Sequence, residues 1–556
     1  MTQVDLFGPL PWPSGTPNAP GATAETADTR TADPAIAPPV PLDLAARIAL
    51  AAIPNVVAVA SGCQPLSNET LGQHAEQLAV PTYDRAALTP AVVHFSVGGF
   101  HRSHQLLYFD ELAQRGISDG WGVIGVGLHN RKMKRALAPQ DHLYTVVERS
   151  PDGERARVVG VMLDYHFAPD DPAVVLDVLT DERTRMVSLT ITGSGYRLDP
   201  QSGTFDPDCP DIRWDLEETA LPRTVFGFLV EALDRRRRAG LPPFTVVSCD
   251  NMHRNGEATR AAVVGFARLR NEVLARWISD RVSFPSSMVD RITPHTTTEQ
   301  REAVAARYGV DDRWPVITEP FSQWFIEDDF CNGRPPLEHV GVHFVDDVAQ
   351  YELMKTRLLN ASHCALGYLG SLAGYESIDQ LMADPLFAGY AAKLMDLEVA
   401  PLLPPPAGID LMEYRSTLLK RFANPAIADQ LHRLCRRGST KMPHHLLPSL
   451  RQALDEGRPH RLLTLAVAAW FRYLRGTDVD GRRIEVDDPR AELLGTLARA
   501  GGADPRLLLG VTSVFGDLGK RPTFVEELGR ALAELDRDGV RATLAAALTV
   551  PVEPFL

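Results

Sequence analysis

Cysteine is scarce in this chain, with six residues among 556. The six stand far apart and form no C-x-x-C pair, so neither a disulfide framework nor a structural zinc site is indicated. We therefore expect reduced thiols in a cytosolic protein. The cysteines are Cys63, Cys209, Cys249, Cys331, Cys364 and Cys435.

Positive charge is also in deficit. Lysine and arginine number 57 against 71 aspartates and glutamates, which gives a formal net charge of -14. A general nucleic-acid binder needs clustered cations in excess, because it must neutralise phosphates. We therefore expect no nucleic-acid partner.

Long apolar runs are missing as well. No segment approaches the length of about 20 apolar residues that a bilayer-crossing helix needs. The N-terminus lacks the basic-then-apolar order of a secretion signal. We expect no membrane partner and a cytoplasmic location.

Metal-ligand motifs are absent from the sequence. There is no H-E-x-x-H, and the cysteines and histidines do not combine into a three-ligand spacing. The pair His444 and His445 is interpreted as part of a loop. We expect no metal site.

The order of the patterns predicts an α/β protein, with a Rossmann-like N-terminal domain followed by a mainly α-helical C-terminal domain. Residues 1–40 are rich in proline, alanine, threonine and glycine, and predict a disordered leader. Residues 41–345 open with a helical pattern at 42–57 and then alternate short apolar strands with helices. Residues 346–556 carry long apolar-periodic segments without convincing strands, which predicts helices.

Short apolar runs bounded by turn residues are typical of buried strands, and longer periodic runs are typical of helices. The predicted strands are 92–97, 121–128, 186–192 and 244–249. The predicted helices are 102–114, 224–238, 258–278, 351–373, 462–474 and 524–548. Because the first strand, helix and second strand have the length of a parallel crossover, they predict the start of a doubly wound sheet.

A glycine pair lies where the first predicted strand turns into the first helix. The segment reads S-V-G-G-F-H-R from Ser96 to Arg102. At such a turn, free backbone amides and a helix N-terminus can hold a pyrophosphate. The full G-x-G-x-x-G pattern is absent, because Ser96 stands at its first glycine, so a turn without a ligand is an equal alternative.

The residues after the second strand bear on the choice of nucleotide. NAD enzymes usually carry an acid there for the ribose diol, whereas NADP enzymes often carry arginine. Here the run is His129, Asn130, Arg131 and Lys132, with no acid. This leans toward a 2'-phosphate or leaves the choice open, and a solvated basic helix start is the alternative.

Three polar residues fall in one strongly helical segment. On an α-helix, Lys355, Asn360 and His363 lie within about 140 degrees of one another and can share a face. Oxidation of a secondary alcohol needs a base for the hydroxyl proton and donors for the developing oxygen charge. A lysine and an asparagine meet that need, although an amphipathic helix whose polar side faces water shows the same pattern.

Two further clusters follow predicted strands or lie between prolines. Asn251 belongs to the run S-C-D-N directly after the strand at 244–249, and strand ends are where open α/β sheets bind ligands. An ordinary polar loop is the alternative. Asp290 and Arg291 lie in the run F-P-S-S-M-V-D-R-I-T-P, and their default interpretation is a surface ion pair.

With these motifs assembled, the chain resembles the polyol-specific long-chain dehydrogenases, a family that includes mannitol, arabinitol and hexuronate enzymes. The resemblance runs from about residue 93 to at least 448. Its most specific pieces are G-G-F-H-R-S-H from Gly98, S-C-D-N from Ser248, the run that begins at Phe284, and K-T-R-L-L-N-A-S-H from Lys355. The resemblance implies a substrate cleft between the two domains and a zinc-independent reaction.

The resemblance also implies residue roles. Lys355 matches the general base, Asn251 and Asn360 match the amides that polarise the reacting oxygen, and His363, Arg433 and Asp290 match substrate-binding positions. The expected cofactor is NAD, with NADP not excluded. The expected cofactor-binding residues are Val97, Gly98, Gly99, Phe100, His101, Arg102 and Asn130.

Three departures from the family pattern stand out. Ser96 replaces a glycine, the acid expected near Asn130 is missing, and Gly193 stands where the family commonly has the glutamate of T-E-G-G-Y. The first two leave cofactor choice open. The third removes a carboxylate from beside the active site, so a proton released by the lysine would pass to water.

The expected activity is reversible hydride transfer between a nicotinamide cofactor and a linear polyol or ketose, first of all D-mannitol and D-fructose. D-Arabinitol or a hexuronate is the alternative substrate within the family. A catalytically silent sugar or nucleotide sensor is the alternative from another class, and a scaffold that uses the proline-rich leader is a third. We expect a monomer or weak oligomer whose only partner is the small-molecule substrate.

Overall fold

The computed structural model describes residues 63–199, 203–217, 221–478 and 480–549. The predicted leader and the helical pattern at 42–57 lie outside the described residues. The chain divides into two compact units, the first ending at Ala349 and the second beginning at Gln350.

The first unit combines short strands with helices. Its strands are β1 (Gln64–Pro65), β2 (Pro90–Phe95), β3 (Gly122–Gly127), β4 (Tyr144–Ser150), β5 (Gly153–Val159), β6 (Met162–Phe167), β7 (Met186–Leu189), β8 (Thr245–Ser248), β9 (Ser287–Asp290), β10 (Val310–Asp311), β11 (Val316–Thr318), β12 (Gln323–Glu327) and β13 (His343–Val345). Its helices are α1 (Gly99–Ser103), α2 (Gln105–Gln114), α3 (Lys132–Leu137), α4 (Pro172–Thr180), α5 (Pro210–Asp215), α6 (Val225–Arg238), α7 (Asn255–Arg270), α8 (Glu272–Arg281) and α9 (Thr298–Tyr308).

Five parallel strands form the central sheet, in the order β6-β3-β2-β7-β8. Neighbouring residues of β2 point to opposite faces. Val92 packs in one buried cluster with Leu106 of α2, and Val93 packs in another with Phe228 of α6. The sheet is therefore covered by helices on both faces, and the predicted Rossmann-type domain is confirmed.

The strand order reverses beside β2, since the chain adds β3 and β6 on one side and β7 and β8 on the other. In open parallel sheets, ligands bind outside the carboxyl ends of the strands at such a reversal. Glycine at β3 permits close packing there, because a Cβ on Gly125 would lie 2.8 Å from the Tyr165 ring. A nucleotide is thus expected to bind at the carboxyl edge of this sheet.

The four predicted strands correspond to β2, β3, β7 and β8. The helix predicted at 524–548 is interrupted by a kink at Gly539, where φ is +76° and ψ is 172°, and two predicted helices of the first unit are also wrong in detail. The helix predicted at 102–114 begins at Gly99 and breaks at His104, where φ is -125° and ψ is -88°. The helix predicted at 258–278 is two helices, α7 and α8. They separate at Asn271, whose side chain accepts hydrogen bonds from the backbone of Val273 at 2.8 Å and Leu274 at 3.0 Å and so caps α8.

Two smaller sheets and a strand pair complete the first unit. The orders are β11-β4-β5, β13-β12-β9 and β1-β10. β9 and β12 are antiparallel and place Asp290 opposite Gln323. These sheets position the segment after β9 beside the central sheet.

The second unit is helical, and no strand occurs in its described residues, which confirms the predicted helical domain. Its helices are α10 (Ala349–Met354), α11 (Ala361–Leu372), α12 (Ile378–Met382), α13 (Pro385–Lys393), α14 (Leu411–Phe422), α15 (Leu431–Cys435), α16 (Gly438–His445), α17 (Leu447–Glu456), α18 (Arg461–Tyr473), α19 (Ala491–Gly501), α20 (Arg506–Leu509), α21 (Thr512–Phe515) and α22 (Pro522–Thr549).

The core of the second unit lies around α11 and α18, which pack against each other. Tyr368 of α11 stacks on Trp470 of α18, with ring centroids 6.1 Å apart. α16 approaches both rings at Gly438, where a Cβ would lie 2.7 Å from Trp470 Nε1. The interpretation of His444 and His445 as a loop pair is wrong, because both belong to the last turn of α16.

No helix in the described part of the chain is both long enough and apolar enough to traverse a membrane.

Candidate active site

The turn after β2 has a backbone conformation that favours glycine, although serine occupies it. Ser96 has a φ of +72°. Its N–H donates to the Val126 carbonyl at 2.8 Å, and the Thr190 hydroxyl donates to its carbonyl at 2.9 Å. These contacts fix the turn among β2, β3 and the end of β7, and they show that Ser96 occupies the turn position identified from the sequence.

At both glycines of the turn, the space beside the backbone is open. A Cβ on Gly98 would come no closer than 3.9 Å to Ser96 O, and one on Gly99 no closer than 3.7 Å to the Thr293 methyl group. Packing of the protein therefore does not require glycine at either position. A ligand that approaches the backbone would require it, and α1 opens there with N–H groups that have no partner within the helix. The turn thus fits a pyrophosphate.

Three further predicted cofactor residues of the turn point into the protein, whereas Phe100 is partly buried. Val97 is 7% exposed, and His101 and Arg102 are 1% exposed. Arg102 donates to the Trp314 carbonyl, and the ring of His101 stacks on His94 with centroids 3.3 Å apart. The side chains of these residues hold the turn, so the atoms left for a cofactor are those of the backbone.

The stacked imidazoles are both uncharged near neutral pH. Burial lowers the pKa of His94 to about 3, and burial together with the nearby His94 holds the pKa of His101 well below its usual range. His94 contacts the hydroxyls of Ser188 at 2.8 Å and Thr190 at 3.0 Å. Within the described residues, neither ring nitrogen of His101 has a hydrogen-bond partner.

Asn130 lies in the loop that follows β3. Its side chain is exposed, and its amide oxygen accepts the backbone N–H of Lys132 at 3.2 Å. The loop is therefore a turn that leads into α3. In dinucleotide-binding sheets, the loop at this position beside the glycine turn contacts the adenosine ribose.

Asp250 ties together the loops that follow β7 and β8. Its buried carboxylate accepts the N–H groups of Ile191 at 2.9 Å and Thr192 at 2.8 Å, and the Tyr196 hydroxyl at 2.8 Å. Burial raises the pKa of this carboxyl group, against the effect of these hydrogen bonds. The next residue, Asn251, is exposed at the sheet edge. Asp250 thus fixes the backbone that presents Asn251, a role that the sequence did not indicate.

The surface ion pair expected between Asp290 and Arg291 is wrong. Both residues are buried, at 4% and 5% exposure. Arg291 pairs instead with Glu148, and it donates to the Glu319 carbonyl at 2.9 Å and the Ser103 carbonyl at 2.6 Å. Carbonyls from separate segments therefore draw the guanidinium inward, and its bond to Ser103 anchors α1.

Asn255 joins the segments that carry Asn251 and Asp290. Its side-chain amide donates to the carbonyls of Asp250 at 3.0 Å and Ser287 at 2.8 Å. The first unit thus brings the turn after β8 beside β9, at the carboxyl edge of the sheet. The signal in the sequence was the position of S-C-D-N directly after a strand.

Lys355 begins a π-helical turn rather than continuing an α-helix. The turn spans Lys355–Asn360. A π-helix closes its hydrogen bonds over five residues, so Lys355 and Asn360 stand one above the other instead of 140 degrees apart. The α-helical geometry assumed from the sequence is therefore wrong here. Lys355 is 5% exposed, which also excludes a water-facing lysine.

His363 follows one turn later, on α11. Burial holds the pKa of its imidazole well below the usual range, and the charges of Arg433 and Arg421 act in the same direction. Its ring lies 4.5 Å from that of Phe422. In the part of the chain that the structure describes, its Nε2 atom has no hydrogen-bond partner. A neutral buried imidazole can donate to or accept from a hydroxyl group.

Arg433 is held by Asp429, with its Nε atom 2.6 Å from the carboxylate. Lys441 of α16 donates to the Arg433 carbonyl at 3.4 Å, and burial lowers the pKa of its amine. His445, one turn further, has its pKa lowered to about 3, first by burial and then by the charge of Lys355. Sequence reasoning missed Lys441 and His445, although their four-residue spacing on a helix was the available signal.

Among the residues that the structure describes, no group of three histidines, cysteines, aspartates or glutamates has the geometry to hold a metal ion. The cysteines there are free thiols.

Comparisons with known proteins match both units. The model of the mannitol dehydrogenase Rossmann domain matches residues 90–339, and the model of the mannitol dehydrogenase C-terminal domain matches residues 347–536. A mannitol 2-dehydrogenase of Aspergillus fumigatus is 47% identical over 475 residues, which cover 84% of this chain and 94% of the relative.

Two solved structures agree. One is the Pseudomonas fluorescens mannitol 2-dehydrogenase in ternary complex with NAD and D-mannitol, with a TM-score of 0.81 and 44% identity over 88% of this chain and all of the other. The second is a D-sorbitol dehydrogenase in substrate-free form, with a TM-score of 0.78 and 36% identity over 86% of this chain and all of the other. Each similarity extends over both units.

Proposed function

This chain belongs to the mannitol dehydrogenase family, and on that premise we propose that it is an NAD-dependent dehydrogenase of a linear polyol. The resemblance to polyol dehydrogenases inferred from the motifs is thereby confirmed. D-Mannitol is the proposed substrate and D-fructose the proposed product. The relative solved with NAD and D-mannitol supports both assignments.

The observation that carries the proposal is a buried lysine one π turn from an asparagine. Lys355 is positioned to accept the proton of the substrate hydroxyl, and Asn360 to donate a hydrogen bond to the same oxygen. Asn251, which Asp250 fixes at the sheet edge, supplies the second amide of the family pattern. Amide donors lower the barrier in both directions because they stabilise the negative charge that develops on the reacting oxygen in the transition state.

The first unit supplies the cofactor site. When bound, NAD accepts a hydride at C4 of its nicotinamide ring. Backbone groups from Val97 to Arg102 would hold its pyrophosphate, and the loop at Asn130 would lie against its adenosine ribose. The open space beside the backbone of Gly98 and Gly99 supports this placement.

Substrate recognition is assigned to His363, Arg433 and Asp290. The Nε2 atom of His363, which has no hydrogen-bond partner among the described residues, suits a polyol hydroxyl, and Arg433 keeps a fixed orientation through Asp429. Because the D-sorbitol dehydrogenase is also similar over both units, D-sorbitol is the second polyol to test. We place the reaction in the cytoplasm, in keeping with the free thiols.

Replacement of Lys355 by alanine tests the proposal. Positioned acid-base groups typically supply about 100- to 10,000-fold, so Lys355→Ala should lower kcat for D-mannitol by that range. Initial rates followed by nicotinamide absorbance provide the measurement. Part of the rate should return with added methylamine, because a small amine can occupy the space of the missing group.

The matched control is Lys420→Ala, which removes an exposed lysine of α14. It should keep the wild-type rate. The binding of NADH, measured by fluorescence, should be the same in all three proteins. An unchanged rate in Lys355→Ala, or wild-type protein that turns over no polyol, would contradict the proposal.

A further inference from the structure

The end of the loop after β3 and the start of α3 carry four cations in five residues. They are Arg131, Lys132, Lys134 and Arg135. Such a group beside the adenosine ribose would attract the 2'-phosphate that distinguishes NADP from NAD. The proposed use of NAD therefore needs a physical reason.

The end of β6 supplies an acid beside this loop. β6 is the neighbour of β3 at the edge of the sheet, and their pairing continues past the strands because the Ala168 N–H donates to the Gly127 carbonyl at 2.9 Å. Asp170 follows two residues later. The structure thus places a carboxylate against the loop from a part of the chain distant in sequence.

Asp170 engages two of the cations at once. One carboxylate oxygen pairs with the guanidinium of Arg131, and the other pairs with Lys134 Nζ at 2.9 Å. The guanidinium also lies 5.6 Å from the centroid of the Phe167 ring. Asp170 is the less exposed partner, with 24% side-chain exposure against 57% for Arg131 and 40% for Lys134. The carboxylate is therefore the shared partner of both cations and the least exposed of the three side chains.

A cation that is already paired offers little to a phosphate. To bind a 2'-phosphate, Arg131 or Lys134 would have to leave Asp170, and the phosphate would then face an uncompensated carboxylate. A ribose diol carries no charge, so its binding requires neither the loss of these ion pairs nor contact between two negative groups. Like-charge juxtaposition is one of the usual means by which proteins reject a wrong ligand.

We propose that Asp170 makes this enzyme select NAD over NADP by holding Arg131 and Lys134 away from the 2' position. Asp170 would thereby replace the acid that the family pattern expects in the loop near Asn130. This inference rests on the proposed function, since it concerns the cofactor of that reaction.

Asp170→Asn tests the inference, because asparagine keeps the shape and loses the charge. The dissociation constants of NADH and NADPH are measured by nicotinamide fluorescence, without substrate. NADPH should bind about tenfold more tightly to the variant than to the wild type, as expected for one charge-assisted contact that becomes available. The constant for NADH should stay within about twofold.

Two further variants make the result specific. Asp164→Asn removes another partly exposed carboxylate of β6, which lies 3.5 Å from His142 and from His166, and it should leave both constants unchanged. In the variant that combines Asp170→Asn with Arg131→Gln and Lys134→Gln, the gain in NADPH affinity should disappear.

The outcomes separate this inference from the proposed function. Wild-type protein that binds NADH and oxidises D-mannitol, together with an Asp170→Asn variant whose NADPH constant does not change, overturns the inference alone. A gain of the same size in the triple variant overturns it too, because Arg131 and Lys134 would then play no part in the selection. Wild-type protein that binds neither nucleotide overturns both.

Discussion

Ser96 holds a backbone conformation that costs most side chains energy. At a φ of +72°, a Cβ atom is strained by about 1–2 kcal/mol, whereas glycine is not. Ser96→Gly should therefore raise the free energy of unfolding by about 0.5–1 kcal/mol, after allowance for the greater entropy of glycine in the unfolded chain. Urea denaturation of the two proteins measures the difference.

Ser96→Ala is the matched control for this prediction. It removes the hydroxyl and keeps the Cβ, so it should bring no gain in stability. If alanine stabilised the protein as much as glycine, the hydroxyl rather than the backbone would be the source of the cost.

Single residues show what the sequence could and could not predict. Lys355, Asn360 and His363 were predicted together because they share one short motif, and their roles stay predictions. Arg291 was misplaced at the surface because its burial depends on carbonyls of Glu319 and Ser103, which lie far from it in sequence. Local charge patterns carry no information about such distant acceptors.

Among the elements, the turn that carries Lys355 shows the limit of periodicity. Apolar spacing predicted one helix over 351–373, and the chain is helical there, but six residues adopt the wider π form. One extra residue in a turn barely changes the apolar pattern. The break at His104 was missed for the same reason, because apolar residues continue on both sides of it.

Glu398 links two elements of the second unit and gives a pH-dependent prediction. It lies in a second π-helical turn, Leu394–Val399, and accepts the N–H groups of Leu462 and Leu463 at 2.8 Å each, at the start of α18. Burial raises the pKa of its carboxyl group from 4.5 to about 7. The folded protein therefore binds this proton more tightly than the unfolded chain does.

This difference in proton affinity makes the folded protein less stable as the pH rises. The contribution of Glu398 to stability is largest below pH 4.5 and is lost as the pH rises to about 7, by roughly 3 kcal/mol. The free energy of unfolding of Glu398→Gln, relative to wild type, should therefore increase by up to that amount between pH 4.5 and 7. Urea denaturation at several pH values, followed by circular dichroism, measures it.

The control for this series is Glu456→Gln at an exposed position of α17. Its difference from wild type should stay constant over the same pH range. A constant difference for Glu398→Gln as well would contradict the prediction.

For the whole molecule, alternation of strands and helices predicted the Rossmann-type unit, and long periodic segments predicted the helical one. The small sheets formed by β4, β5, β9, β11, β12 and β13 were missed. The short strands β9, β11, β12 and β13 have weak local signals, whereas β4 and β5 form a local hairpin that the sequence analysis overlooked. The domain limits 41–345 and 346–556 stay predictions.

Removal of residues 1–40 gives a test at this scale. The segment is rich in proline and alanine and lies before both matched family domains, the first of which begins at residue 90. The truncated chain should keep kcat/KM for D-mannitol within about twofold, because every residue proposed for catalysis or binding remains. A large loss of rate would instead assign the leader a part in folding or catalysis.

The π-helical turn also bears on how such chains diverge. A turn of this kind holds one residue more than an α-helical turn, so the loss of a single codon between Lys355 and Asn360 would restore an ordinary helix and leave the two residues four positions apart, still on one face. A homologous gene with a one-residue gap in this stretch would therefore encode a protein that keeps the amine and the amide side by side.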